Sequence, residues 1–92
     1  MIYVDVDDTL MRSVGAKRIP MTSVVAYVRR MKEVGAELYC WSAGGAAYAQ
    51  QPAQELGIDA CFTAFLPKPT LIVDDQAVAD WRQCTHLLPA NC

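Results

Sequence analysis

Four short runs of β-branched, aromatic and apolar residues, at 2–6, 37–41, 61–65 and 70–73, alternate with stretches of helical periodicity. That alternation limits the fold more than any composition figure does. Strands separated by helices pair in parallel, and a parallel sheet is covered on both faces. From about Thr22, Val24, Val28 and Met31 share one helical face, while Arg29, Arg30 and Glu33 lie mostly away from it. Arg29, Arg30 and Lys32 fall late in this helix, where its dipole favours them, and Gly35 suits the left-handed stop. Gly44 and Gly45 lead into a second helix that ends near Leu56, with Gly57 beyond it. Pro52 inside that helix predicts a kink or a later start. Residues 11–20, with Ser13, Gly15 and two basic side chains, read as irregular. The run 61–65 is a weak third strand, and Pro67 and Pro69 hold Lys68 in an extended turn. Residues 70–73 read as a fourth strand, followed by a short helix through Val78 and Trp81 and a last apolar piece at 86–88.

A chain of 92 residues has room for one domain, covering 1–92. With 53% of residues apolar, a disordered chain is excluded. A domain this small buries a modest fraction of its surface, so its stability margin is expected to be thin. Eight basic and ten acidic residues are mixed along the sequence, leaving a net charge of −2. That balance offers no field for general nucleic-acid binding, although a single phosphate on a polynucleotide end needs only a local site. Cys40, Cys61, Cys84 and Cys92 form no C-x-x-C pair and read as reduced, buried or terminal thiols. The opening MIYVDVDDTL puts acids where a signal peptide needs an apolar run, and no stretch is long enough to span a membrane. The expected location is the cytoplasm.

Polar chemistry gathers at the ends of these strands. The first ends in Asp5, Asp7 and Thr9, the second in Ser42, and the fourth in Asp74 and Asp75, with Lys68 just before it. The carboxyl ends of parallel strands share one edge, and open α/β sheets bind ligands there. Clustered carboxylates repel unless a cation sits among them, and an all-oxygen set with one lysine suits magnesium. Each feature has a plainer reading. The acids fit a solvated strand end, Ser42 a helix cap, Lys68 a surface charge, and Asp74 and Asp75 the cap of the next helix. Their order along the chain makes the joint case.

That ordered set resembles the four motifs of the haloacid dehalogenase-like (HAD) phosphatases: DVDDT at 5–9, Ser42 after an apolar strand, Lys68, and LIVDD at 71–75. The resemblance covers nearly the whole chain. It implies a three-layer Rossmann-like sheet in strand order 5-4-1-2-3, with a squiggle and a flap that 11–20 must both supply. It implies a magnesium-dependent phosphomonoesterase in which Asp5 attacks phosphorus and becomes an aspartyl phosphate. Asp7 would serve as general acid and then base, and would lend its backbone carbonyl to magnesium. Asp74 would hold the ion with Asp5, and Asp75 would be a ligand or a neighbour of one. Thr9, Ser42 and Lys68 would deal with the phosphate, Thr9 by orienting Asp7 or closing the turn, and amides at the second helix start would assist. Asp8 stands where many relatives carry glycine.

The cap domain that many relatives insert has no room here, since neither 11–20 nor the stretch before Lys68 can hold a folded unit. The site is expected to be open or covered by a neighbouring subunit, so a homo-oligomer is one expectation. Met11, Arg12, Lys17 and Arg18 are the flap residues able to reach a phosphorylated substrate, although Lys17 and Arg18 read first as solvated charge. His86, Trp41 and Trp81 read as structural. The alternative reading is a phospho-accepting or magnesium-binding regulatory module without turnover, similar to response-regulator receivers. Their acceptor Asp follows the third strand, where this sequence has none.

Overall fold

The structure is a computed structural model and describes residues 1–92. Strands β1 (Ile2–Asp5), β2 (Met11–Val14) and β3 (Lys17–Pro20) precede helix α1 (Thr22–Glu33). Strand β4 (Leu38–Ser42), helix α2 (Ala46–Glu55) and strand β5 (Ala64–Pro67) come after it. The main sheet is parallel, in the order β1-β4-β5. Val4 lies across from Cys40, Asp5 from Trp41, and Ser42 from Pro67.

Both crossovers move the chain in the same direction across the sheet, and right-handed connections then put both helices on one face. The core shows which face. Val24 and Val28 of α1 and Ala49 and Ala53 of α2 join Val4, Leu38 and Cys40 in one buried cluster. By strand alternation, Tyr3, Asp5, Tyr39 and Trp41 point the other way, to a face that no α-helix covers. The observed architecture is thus a small α/β fold with helices on one side, where three layers were expected.

Helix α1 starts at Thr22, carries Arg30 and Lys32 in its last turn and ends before Gly35, whose φ is 88°. Helix α2 begins directly after Gly45, where a φ of 103° demands glycine. It neither starts late nor stops at Pro52, which is buried within it. Pro52 has no N–H to offer the Tyr48 carbonyl, but its ring packs into the apolar side of the helix.

Residues 11–20 are ordered. Strands β2 and β3 form an antiparallel hairpin with Met11 opposite Pro20 and Val14 opposite Lys17. Gly15, at φ 61°, takes the first position of the two-residue loop, as primed hairpin turns require. Only Met11 of the eight strand residues is buried, so the hairpin lacks the apolar alternation that announces a strand.

The expected fourth and fifth strands are absent, and the sheet has the order β1-β4-β5 in place of the expected 5-4-1-2-3. Residues 70–73 join no strand, with Leu71 81% and Val73 93% exposed. The reason is topological. A strand parallel to β1 on its far edge must start at the opposite end of the sheet, and such a return takes a dozen or more residues. Only Lys68 and Pro69 separate β5 from Thr70. The segment 78–81 forms a single 3-10 turn, Val78–Asp80, and 86–88 is exposed, with His86 in no strand. Strand β1 therefore pairs on one side only. No helix is long and apolar enough to cross a membrane.

Candidate functional site

The carboxyl ends of β1, β4 and β5 bring Asp5, Ser42 and Lys68 to one edge of the sheet. Lys68 comes directly after β5 and is fixed there by its backbone N–H, which donates to the Ser42 carbonyl at 2.9 Å. Its Nζ lies 3.0 Å from Asp5 Oδ1. The other oxygen of Asp5 accepts from the Thr9 hydroxyl at 3.1 Å. Asp5 is thus held at both oxygens, half-buried, with a cation on one and a hydroxyl on the other. The Thr9 hydroxyl bonds to Asp5 rather than Asp7, and the Thr9 N–H helps close the turn, the second of its two expected roles.

The loop after β1 makes this contact unavoidable. The N–H groups of Thr9, Leu10 and Met11 all point to the Val6 carbonyl, at 3.1, 2.9 and 3.1 Å. That tight turn folds Thr9 back over Asp5 and leaves Asp8 at φ 60°, the only non-glycine residue with positive φ.

Asp7 belongs to a second group. Its Oδ1 accepts from Arg18 Nη2 at 3.2 Å and from the Tyr48 hydroxyl at 2.8 Å. Arg18 comes from the hairpin and Tyr48 from the first turn of α2, so three separate segments meet on one carboxylate. The Asp7 hydrogen bond raises the Tyr48 phenol above its ordinary value of 10.0, with lesser upward effects from burial and from the negative charge of Asp7. Arg18 also lies 5.7 Å from the Tyr48 ring centre. Arg18 is exposed, as expected of a solvated charge, and is also paired at the surface with Asp7. Tyr48 was not anticipated from the sequence. The available signal was its place in the first helical turn after a strand-end serine and two glycines. Gly44 makes room for it, since a Cβ there would lie 2.9 Å from Tyr48 Cγ.

Ser42 is 2% exposed and sits on the helix side of the sheet, where its Oγ accepts from the Gly44 N–H at 3.0 Å. That contact closes the turn before α2; it does not cap the helix, whose N-cap is Gly45. Beneath the site, the Cys40 thiol is pushed up to about 12, first by burial and then by the negative charge of Asp5.

A cavity of about 1600 Å³ opens along the unpaired edge of β1, reaching from Val24 and Tyr27 of α1 round to the uncovered face, and Asp5, Thr9, Lys68, Asp74 and Asp75 all line it. Asp7 and Ser42 do not. The expected gathering of Asp5, Asp7, Asp74 and Asp75 around magnesium is not assembled: no three Asp, Glu, His or Cys side chains form a group able to hold a metal ion. Asp7 is drawn to Arg18 and Tyr48, and Asp74 accepts from the Gln76 N–H at 2.8 Å. Asp75 is exposed on a segment that joins no strand. Magnesium needs near-octahedral oxygen ligands, and these carboxylates as placed do not supply them.

Trp41 and Trp81 are only partly buried and both line the cavity, so neither is a core residue. Among the thiols, Cys40 is buried, Cys61 and Cys92 intermediate, and Cys84 exposed, with no disulfide. No family model, curated protein or solved structure matches the chain.

Proposed function

We propose that the chain is a phosphohydrolase of the HAD type that cleaves a phosphate monoester through an aspartyl phosphate on Asp5. The observation that carries this reading is the hold on Asp5. A carboxylate at the carboxyl end of a parallel strand is gripped by Lys68 and Thr9 and lies in a cavity wall. An oriented carboxylate is a competent nucleophile, and the adjacent ammonium neutralises charge on a transferring phosphoryl group.

In the first step an Asp5 oxygen attacks phosphorus and the bond to the ester oxygen breaks. Lys68 exchanges its contact with Asp5 for one with a phosphoryl oxygen. Asp7 delivers a proton to the departing alkoxide, which requires its side chain to turn from Arg18 and Tyr48 into the cavity that it does not line at rest. Its two donors both take Oδ1, so Oδ2 is the oxygen left to carry that proton. In the second step Asp7 removes a proton from water, the water oxygen attacks phosphorus, and the aspartyl bond breaks to free phosphate and Asp5. Magnesium, which the family resemblance calls for, enters neither step because its ligands are not assembled.

The test is phosphate release from p-nitrophenyl phosphate by the purified chain, with and without magnesium. Release that Asp5→Asn reduces at least about a thousandfold is the expected result, the scale of loss when a group acting in the chemical step is removed. Release that survives Asp5→Asn would sink the nucleophile. A phosphoryl adduct on Asp5 that forms and persists without turnover would assign the chain to the phospho-accepting class instead.

A further inference from the structure

The uncovered sheet face carries more than Asp5. Tyr3 precedes Asp5 by two residues and shares its side of β1, and Trp41 lies directly across from Asp5 on β4. The Tyr3 and Trp41 rings pack edge to face at 4.8 Å, and Tyr3 lies 5.1 Å from Tyr39. Lys68 Nζ stands 5.9 Å from the centre of the Trp41 ring. Tyr3 and Trp41 both line the cavity that Asp5 and Lys68 line, and Tyr3 is 43% exposed. A tyrosine that served only as core would lie under a helix, and this face has none. The aromatic surface and the candidate nucleophile are thus continuous, about 7 Å apart along the strand.

We infer that the substrate is a phosphate monoester carrying a planar aromatic ring within that reach of phosphorus, held with the ring against Tyr3 and Trp41. The inference rests on the proposed role of Asp5 and adds the substrate class to it. Rings on exposed aromatic side chains gain binding by stacking, independent of the ring's hydrogen-bonding pattern. The charges near the site favour a single phosphate. Lys68 and Arg82 face Asp5, Asp74 and Asp75 around the cavity, which leaves no surplus of positive charge for a second or third phosphoryl group.

Two matched substrate pairs test the inference and separate its two chemical sources. Adenosine 5′-monophosphate and ribose 5-phosphate share a leaving group and differ in the base. Benzyl phosphate and cyclohexylmethyl phosphate share a primary alkoxide leaving group and differ in the aromatic ring. The ring-bearing member of at least one pair is expected to have a kcat/KM about tenfold higher, the scale of one stacking contact. Tyr3→Leu is expected to collapse that ratio to about one, and Tyr3→Phe to keep it. A preference confined to the first pair assigns a nucleotide, and one confined to the second assigns an aryl ester. Titration of the Asp5→Asn protein with the same pairs, followed by tryptophan fluorescence, reads ring binding without turnover.

The two proposals fail separately. Ring preference in that titration with no hydrolysis by the wild type would keep the aromatic platform and overturn the hydrolase. Hydrolysis with no preference in either pair would overturn the platform and keep the hydrolase. A preference that survives Tyr3→Leu would place the ring elsewhere. A dimer that Tyr3→Leu dissociates, with no ring preference, would assign this face to a second copy of the chain and overturn the inference.

Discussion

Asp8 and Cys40 flank the candidate nucleophile and respond to opposite constraints. Asp8 stands at φ 60°, where a Cβ crowds the backbone and ordinary residues lose about 1–2 kcal/mol. Aspartate tolerates that region better than most, and the side chain is exposed. Asp8→Gly is therefore expected to fall within about 1 kcal/mol of the wild type, relief of strain being set against a more flexible unfolded chain. Asp8→Val should lose about 1–2 kcal/mol or more, since a β-branched residue fits that conformation worst. Urea denaturation of both variants decides it, and an equal loss in the two would contradict the left-handed conformation. Cys40 is constrained by burial. Its thiol rises from 9.0 to about 12, so above pH 9 the unfolded chain gives up a proton that the folded one keeps. Its contribution is whole below pH 9 and is lost between 9 and 12 at up to about 1.4 kcal/mol per pH unit. Tyr39 and Tyr48 are also raised and pull the same way, so the measurement is a difference: Cys40→Ala should flatten the fall in stability between pH 8.5 and 10.5 relative to the wild type. Parallel curves would show that the thiol does not titrate differently in the two states.

At the scale of elements, the sequence spoke clearly where local chemistry and tertiary context agree. The run 2–6, the helix from Thr22 and the strand ending at Ser42 appear within a residue or two of the expected positions. Gly35 and Gly57 close their helices with φ of 88° and 69°. The hairpin was hidden because its one strong signal is Gly15, with polar and basic residues where an apolar face would alternate. Missing the hairpin concealed the Arg18–Asp7 contact as well, because only the return of β3 brings residue 18 beside residue 7. Asp5, Thr9 and Lys68 were legible from their order, whereas Tyr48 needed the geometry of the turn before α2. The false strand at 70–73 is the opposite case. TLIV has the β-branched composition of a strand, but β propensity expresses packing on a half-buried surface, and no surface is within reach after Pro69. The consequence is measurable. Leu71→Ser and Val73→Ser should each change stability by no more than about 0.5 kcal/mol, while Leu38→Ala in the central strand should cost about 2–5 kcal/mol. A loss above about 1.5 kcal/mol at Leu71 or Val73 would mean that this segment packs on the sheet after all.

Across the whole molecule, burial is distributed unevenly along the chain. The buried residues run from Val4 to Phe62, and none lies in the last thirty positions. The sheet, both helices and the hairpin are likewise complete by Pro67. Beyond it the chain is irregular, with bends, a turn at 82–83 and two single 3-10 turns, Val78–Asp80 and Pro89–Asn91, the latter meeting α1. Segments with few buried contacts open at a free energy well below that of global unfolding, and proteases read that difference. The chain offers trypsin basic residues in each region. Arg29, Arg30 and Lys32 are locked in α1, while Arg12, Lys17 and Arg18 lie in a hydrogen-bonded hairpin. Lys68 is followed by Pro69, whose ring blocks the bond, and Arg82 is exposed in the tail. Brief trypsin treatment under native conditions is therefore expected to cut first after Arg82, and mass spectrometry of the first product reads the site. Urea at a concentration below the unfolding midpoint should leave that cut dominant, because local opening of the tail does not require the core to unfold. First cleavage in α1 would show that the tail is held as firmly as the sheet, and the cavity it borders would then be a rigid wall of the site.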